Sequence, residues 1–347
     1  MRGKLRPALM QTLIHKLEAG GSLSRLEAEA AMEEILTGRA AEEAIVALLS
    51  ALRANGETVE ELVGFARAMR RHATAIPCPS LPPGDLLVDT CGTGGDALGT
   101  FNISTTAAFV VAGAGVRVAK HGNRSFSSKC GSADVLEALG VSLDVSAERV
   151  GAAIEQIGIG FLFAPAVHTA MRHAMPARRR LGRTAFNLLG PLTNPAGARA
   201  QVSGVFSAHL VEKLARVLAE LGVERALVVH GAGGLDEISL VGETKVGDVQ
   251  NGAVRFYEVT PEDFGLARAP LEAISGGDAA HNAALLRSVL AGERGPRRDI
   301  VVANAAAALV AAGRANDFLE GARLAAESIE SGAARTKLDA LIAFTRK

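Results

Sequence analysis

Past a proline-rich stretch at Pro77, Pro79, Pro82 and Pro83, short apolar runs begin to alternate with helical stretches, and this rhythm limits the possible folds more than any other feature. Leu86-Leu87-Val88, Val116-Arg117-Val118-Ala119 and Ala226-Leu227-Val228-Val229 are such runs, the last following a long helical pattern from Ala208 to Leu221. Strands alternating with helices imply a mainly parallel sheet covered on both faces. Ahead of the prolines, the pattern is helical only. Ser24-x-x-Glu27 and Thr58-x-x-Glu61 match the capping box, Gly38 and Gly56 sit where helices would stop, and Ala41 to Ala54 has apolar residues at helical spacing. The prolines therefore mark a boundary between a small helical unit and a larger α/β unit.

Two segments interrupt the rhythm. Residues from about Pro165 to Pro195 are rich in Arg, Pro and Gly, and either return to the helical unit or form a hinge. Leu240 to Val259 reads as short extended pieces joined by Gly247 and by Asn251-Gly252, the latter a hairpin signal. The last 70 or so residues are Ala-rich and helical, with no catalytic motif.

Composition narrows the function classes. Hydrophobic residues are 48% of the 347 and charged residues 21%, a globular balance. Lys plus Arg equals Asp plus Glu at 37 each, which disfavours a dedicated nucleic-acid binder. No apolar run is long enough to span a bilayer, and Met1 to Gly20 carries charges throughout, so neither a membrane span nor a secretory leader is expected. Cys78, Cys91 and Cys130 are odd in number and far apart, which fits a reducing cytoplasm rather than a disulfide framework or a zinc site.

Three loops carry the chemistry. Asp89-Thr-Cys-Gly-Thr-Gly-Gly-Asp96 runs on to Thr100-Phe-Asn-Ile-Ser-Thr105, a glycine-rich connection from a strand to a helix N-terminus. Glycines let backbone amides approach an anion, and free helix amides favour negative charge. Gly92-x-Gly94-x-x-Ala97 fits a dinucleotide fingerprint loosely, but the next strand ends at Lys120 where an acidic residue would be required. Lys120-His-Gly-Asn-Arg-Ser-Phe-Ser-Ser-Lys129 follows that strand, and loops after neighbouring parallel strands meet at one sheet edge. Alone, such a run would be a solvated polar loop; two on consecutive strands indicate a binding edge. Gly233-Gly-Leu-Asp-Glu237 then offers adjacent carboxylates, which suit magnesium beside a phosphate site. Met175 to Arg183 is arginine-rich and could be a nucleic-acid patch, an oligomer contact or a clamp for a carboxylate.

Taken in register, Gly92-Thr-Gly-Gly-Asp96, Asn102-Ile-Ser-Thr105, Lys120-His-Gly-Asn-Arg124 and Gly131-Ser-Ala-Asp-Val-Leu-Glu-Ala-Leu-Gly140 resemble the anthranilate phosphoribosyltransferase family. Arg183-Thr-Ala-Phe-Asn-Leu-Leu-Gly-Pro-Leu-Thr-Asn-Pro195 and His230-Gly-Ala-Gly-Gly-Leu-Asp-Glu237 extend the resemblance. It implies a small all-helical N-terminal domain (1–78, joined by a segment near 165–197) and a large α/β domain (79–164 and 198–347) with a mainly parallel sheet. This is the architecture of nucleoside phosphorylases and their phosphoribosyltransferase relatives. It also implies an active site in the cleft between the domains and a homodimer formed through the helical domains.

The implied reaction moves the 5-phosphoribosyl group of phosphoribosyl diphosphate (PRPP) to the amine of anthranilate, a step of tryptophan biosynthesis. Carried over by motif, PRPP would be held by Gly92, Gly95, Asp96, Thr100, Asn102, Ile103, Ser104, Thr105, Lys120, His121, Gly122, Asn123, Arg124, Ser125, Phe126, Ser127, Ser128 and Ser132. Ser104, Asp236 and Glu237 would bind magnesium, two ions per site. Gly92, Asn123 and Arg178 would contact anthranilate, with His121 and His168 lining its path.

Departures are small: Cys130 replaces an expected Ser, Phe126 a smaller aliphatic residue, and Cys91 an Ala or Thr. No charge is lost, and a nucleophilic role for either cysteine is not expected. Pyrimidine nucleoside phosphorylases share the implied fold, but their base-contacting segment differs from Arg178 to Pro195. Relatives of the fold that bind nucleic acid would show a basic excess, absent here.

Overall fold

The computed structural model describes residues 6–78, 81–125 and 129–346; Pro79, Phe126, Ser127 and Ser128 lie outside the described residues. Four helices come first: α1 (Arg6–Glu18), α2 (Arg25–Leu36), α3 (Glu42–Asn55) and α4 (Val59–His72). Both capping boxes form, at Ser24/Glu27 and Thr58/Glu61, and Gly38 and Gly56 adopt positive φ (71° and 77°) past the ends of α2 and α3. Glu61 does more than cap. It is 1% exposed, and its carboxylate accepts from Leu23 N at 2.8 Å as well as from Thr58 N at 2.7 Å, tying the start of α2 to that of α4.

The α/β part begins with β1 (Val88–Asp89), shorter than the apolar run suggested, then α5 (Ile103–Gly113) and β2 (Val118–Gly122). β2 runs two residues beyond Lys120, so His121 and Gly122 belong to the strand rather than to the loop after it. Next come α6 (Ser132–Leu139), α7 (Ala147–Ile157), β3 (Ile159–Phe163), α8 (Ala164–Val167), α9 (Met175–Leu181) and α10 (Phe186–Leu189). β4 (Ala200–Gly204), α11 (His209–Glu220), β5 (Arg225–Gly231), β6 (Thr244–Gln250) and β7 (Ala253–Val259) complete the sheet. The chain ends with α12 (Ala279–Leu290), α13 (Pro296–Ala311), α14 (Phe318–Glu330) and α15 (Ala333–Thr345).

Among the described residues the sheet has seven strands in the order β3-β2-β1-β4-β5-β6-β7. The first five are parallel, and β6 and β7 are antiparallel. The hairpin at Asn251-Gly252 forms, with φ of 49° and 85°. Gly247 is not a joint, as the sequence suggested, but lies within β6. A Cβ there would come within 2.8 Å of Ala215 Cβ, so the glycine lets α11 lie close on the strand.

One face of the sheet is covered by α5, α6 and α12–α15 in a continuous apolar core. The other is covered by α11, whose core merges with that of α1–α4, and under β1–β3 by α7 in a smaller cluster with Leu87, Ala119 and Leu162. The Arg/Pro/Gly-rich segment packs into the core shared by α11 and α1–α4 through Ala174, Ala177, Phe186, Leu188, Leu189 and Leu192. Chain crossings between the two regions are bonded together, Thr74 N to Val167 O at 2.8 Å and Ile76 N to Pro195 O at 3.1 Å. Among the described residues no helix is long and apolar enough to cross a membrane.

Replacing Glu61 with alanine removes a cap and leaves the buried Leu23 amide without a partner. We expect Glu61→Ala to lower stability by about 2–4 kcal/mol, read by urea denaturation, with a smaller loss for Glu61→Gln. Equal, negligible losses would mean that water replaces the carboxylate at no cost.

Candidate active site

β1 and β4 are neighbours although two strands separate them in sequence, so the chain reverses its direction of winding between them. Loops after the carboxyl ends of strands part at such a point and leave a crevice. Here the crevice is a cavity of about 450 Å³. Gly92 lies against the end of β4: a Cβ on it would stand 2.7 Å from Gly204 O, and Thr93 N donates to the same oxygen at 2.8 Å. A Cβ on Gly204 would in turn overlap the carbonyl oxygen of Asp236. Two bare backbones thus allow the glycine loop, β4 and the Asp236-Glu237 loop to stack in contact.

The glycine loop runs with positive φ at Gly94 (63°), Gly95 (91°) and Ala97 (61°), then enters α5 at Asn102. Arg183 Nη2 donates to Gly95 O at 2.6 Å, its guanidinium stacked 4.0 Å from the Phe206 ring. Asn102 is held by Asn282 of α12, whose Nδ2 donates to Asn102 Oδ1 at 3.0 Å. At the start of α5, Ser104 N donates to Glu237 Oε1 at 3.1 Å.

Asp96, Asp236 and Glu237 converge. Asp236 N donates to Asp96 Oδ2 at 3.5 Å. Burial, and then repulsion from Asp96 and Glu237, push the Asp236 carboxyl well above the usual carboxylate range. Burial raises Glu237 as well, opposed by nearby Lys120 and by the Ser104 amide and hydroxyl. Three part-buried carboxylates, with Lys120 beside Glu237, leave an excess of negative charge which a cation would satisfy; the donor set, all oxygen, fits magnesium. Asp96 belongs to this acidic cluster, a placement its motif did not signal.

Lys120 is 4% exposed, and its Nζ donates to Thr90 O at 3.0 Å. Asp89, at the end of β1, is fully buried; burial raises it to about 6 against the pull of Lys120 and Asn194. Its oxygens accept from His121 N at 3.1 Å and Asn194 Nδ2 at 2.7 Å. Asp89, Cys91 and His121 bring possible metal-ligand atoms within 4.8 Å of one another. Asp89 is already committed to those two donors, however, and the positive charge of Lys120 lies beside the group, so the arrangement reads as structural. Burial raises the thiols of Cys91 and Cys130, the latter to about 11, which agrees with neither being a nucleophile.

Of the residues carried over by motif, Gly92, Gly95, Asp96, Thr100, Asn102, Ile103, Ser104, Thr105, Lys120, His121, Gly122, Asn123, Arg124, Ser125, Ser132, Arg178, Asp236 and Glu237 all line the cavity. His168 does not; its ring packs at a tilt against that of His121, centroids 5.1 Å apart. Burial lowers His121 to about 3 and His168 to about 4, so both rings are neutral at pH 7, and Nε2 of each is buried without a partner among the described residues. Arg124 lines the cavity, but its guanidinium is engaged by Asp134 at 3.0 Å and Glu137 at 2.8 Å on α6.

Arg178 is the converse case. Burial lowers its pKa, its Nε has no partner, and it rests 5.3 Å over the Phe186 ring with no carboxylate paired to it among the described residues. A part-buried guanidinium facing a cavity without a counter-ion is a ready site for a planar anion. The motifs gave no sign of Asn282 or Asn304, and Arg183, seen only as part of an arginine-rich run and a family motif, was assigned no contact; all three reach the site from segments distant in sequence.

Comparison with known proteins agrees with this geometry. Residues 11–73 match the helical bundle domain of a glycosyl transferase family, and residues 84–335 match the a/b domain of the same family. The anthranilate phosphoribosyltransferase of Symbiobacterium thermophilum is 56% identical over 339 residues, covering 97% of this chain and 98% of that protein. The crystal structure of the Thermus thermophilus enzyme superposes with a TM-score of 0.90 at 48% identity, covering 96% of this chain and 99% of that one. The Saccharomyces cerevisiae enzyme in complex with PRPP and Mg gives a TM-score of 0.89 at 29% identity, covering 99% of each chain. The chain therefore belongs to the anthranilate phosphoribosyltransferase family.

Proposed function

We propose that this chain joins PRPP to anthranilate, giving N-(5-phosphoribosyl)anthranilate and diphosphate, in tryptophan biosynthesis. The observation that carries the reading is the meeting of the glycine loop, the strand end at 120–125 and the Asp236-Glu237 loop around one cavity that also holds Arg178, which has no counter-ion among the described residues. PRPP would lie along the glycine loop, the N-terminus of α5 and the Lys120 strand end, with Ser132 beside it. Phe126, Ser127 and Ser128, outside the described residues, would also bind PRPP. Anthranilate would contact Gly92, Asn123 and Arg178, with His121 and His168 behind its path.

Magnesium, two ions per site held through Ser104, Asp236 and Glu237, would neutralise charge gathering on the departing diphosphate. The chain's own groups act alongside. Backbone amides of the glycine loop and the positive end of the α5 helix dipole face the diphosphate, where negative charge grows as the bond from C1 to oxygen breaks. Arg178 holds the acceptor's carboxylate, which aims the amine at C1 and turns a bimolecular encounter into an oriented one. An aryl amine is neutral at pH 7, so its lone pair attacks without prior deprotonation; the proton is lost after the new bond forms. The neutral imidazoles of His121 and His168 suit this path, since a charged pair would compete with Arg178 for the carboxylate. Closure between the helical part (1–78 with the segment near 165–197) and the α/β part (79–164 and 198–347) would keep water from the sugar cation. Two copies would pair through the helical domain, where Leu26 on α2 is 76% exposed, and the enzyme would work in the cytoplasm.

Anthranilate fluorescence followed with time tests the reading: its loss should require both PRPP and magnesium. Asp236→Asn should lower turnover by on the order of 100-fold or more and weaken the magnesium dependence. An unchanged magnesium titration would remove Asp236 from the metal site. Arg178→Ala should raise KM for anthranilate on the order of 10- to 100-fold with little change for PRPP, whereas equal effects on both would make its role structural.

The histidine pair predicts a pH dependence of stability. Both folded values lie below the ordinary 6.5, so between pH 6.5 and about 4 the unfolded chain binds protons that the folded chain does not. Stability is lost as pH falls through this window. Asp89 titrates there with the opposite sign, so the comparison must be between proteins. His168→Gln should flatten the slope by up to about 1.4 kcal/mol per pH unit relative to the parent. Parallel curves from urea denaturation would mean that His168 charges freely in the fold.

A further inference from the structure

The Ala-rich C-terminal helices show no catalytic motif, yet α13 brings one polar side chain to the cavity. Asn304 is 2% exposed, in a helix whose neighbours Val301, Val302, Ala303, Ala305 and Ala306 are all buried. An amide in such surroundings is costly unless its hydrogen bonds are made. Asn304 Oδ1 accepts from Ile238 N at 2.9 Å, and Nδ2 donates to Ile238 O at 3.1 Å and to Ile300 O at 2.9 Å. Turning the amide over would set its NH₂ against the Ile238 N–H and its oxygen against two carbonyls, so the network fixes one orientation. Both polar groups of a single residue are held, as a neighbouring strand would hold them.

Ile238 directly follows Asp236 and Glu237. Those carboxylates repel each other and Asp96 in a buried setting. The easiest relief would be for the loop to rotate and swing them outward, and a clamp on the next residue's backbone removes that freedom. Ser104 N on Glu237 and the close approach of Gly204 beneath Asp236 restrain the same loop from other sides. We propose that Asn304 is a positioning residue for the metal site, acting through the Ile238 main chain to keep Asp236 and Glu237 aimed into the cavity. This rests on the magnesium reading given above.

The test uses Mn²⁺ as the probe for magnesium, with the free ion counted by electron paramagnetic resonance, on the full chain and its variants. Asn304→Ala and the similarly sized Asn304→Leu should raise the Mn²⁺ dissociation constant about 10- to 100-fold. Ser328→Ala, which removes a buried 2.8 Å bond to Val110 O elsewhere in the C-terminal helices, should lower the melting temperature while leaving Mn²⁺ affinity within about twofold. If Asp236→Asn binds Mn²⁺ poorly but Asn304→Ala binds it as the parent does, the clamp is overturned and the metal site stands. If Asp236→Asn also binds as the parent does, the carboxylate assignment fails and takes the clamp with it. Should the Asn304 variants not fold, hydrogen exchange on the parent decides. Protection of the Ile238 amide matching Val228 in β5 supports the clamp, and exchange at the rate of an open loop overturns it.

Discussion

The backbone of Gly204 meets that of Asp236 so closely that a side chain on the glycine would overlap the aspartate's carbonyl oxygen, and the site depends on this contact. From the other side, Gly204 O accepts from Thr93 N, and Gly92 lies over the same residue. The end of one parallel strand therefore sets the height of both the anion loop and the acidic loop. Any side chain at position 204 would push the carboxylates away from the loop they face. Sheet topology supplies the crevice, but bare backbone at Gly92 and Gly204 brings its walls within reach of one small ligand.

Charge in the cavity is arranged to be incomplete. Beside the cluster of Asp96, Asp236 and Glu237, Lys120 lies near Glu237, and it also faces Asp89. Arg178 has no carboxylate at all among the described residues. A protein that only needed to fold would pair such groups or exclude them, because isolated buried charge is expensive. In the function proposed, the substrates supply the missing partners: cations with a diphosphate for the acidic cluster, and a carboxylate for the arginine. By contrast Asp89, which is fully buried, is saturated by His121 N and Asn194 and serves to hold β1, β2 and the 190–195 segment together.

Legibility in the sequence followed distance along the chain. The glycine loop, the Lys120 strand end and the Asp236-Glu237 pair are local motifs whose residues carry their own chemistry, and they were readable one by one. Gly247 was misread because a glycine in a polar stretch looks like a turn until the helix packed against it, through Ala215, is known. Asn282 and Asn304 were invisible for a related reason. Asn in an Ala-rich helix has no local signature, and its meaning lies in Asn102 and Ile238, 180 and 66 residues away. Arg183 was read as one of a basic run, yet its partner is a carbonyl 88 residues earlier.

This distribution has a physical reason. Groups that touch a ligand must sit at strand ends and helix starts, where backbone is free, and such places need glycines, hydroxyls and carboxylates that stand out in any sequence. Groups that hold those loops in place sit in the packed layer behind, among residues chosen for volume. There a single amide can fix a loop only because everything around it is apolar and no water competes for its bonds. The alanine-rich helix α13 is therefore more than filler against the sheet. Its small side chains let it lie close beneath β1 and β4, and that closeness allows Asn304 to reach the main chain of the acidic loop.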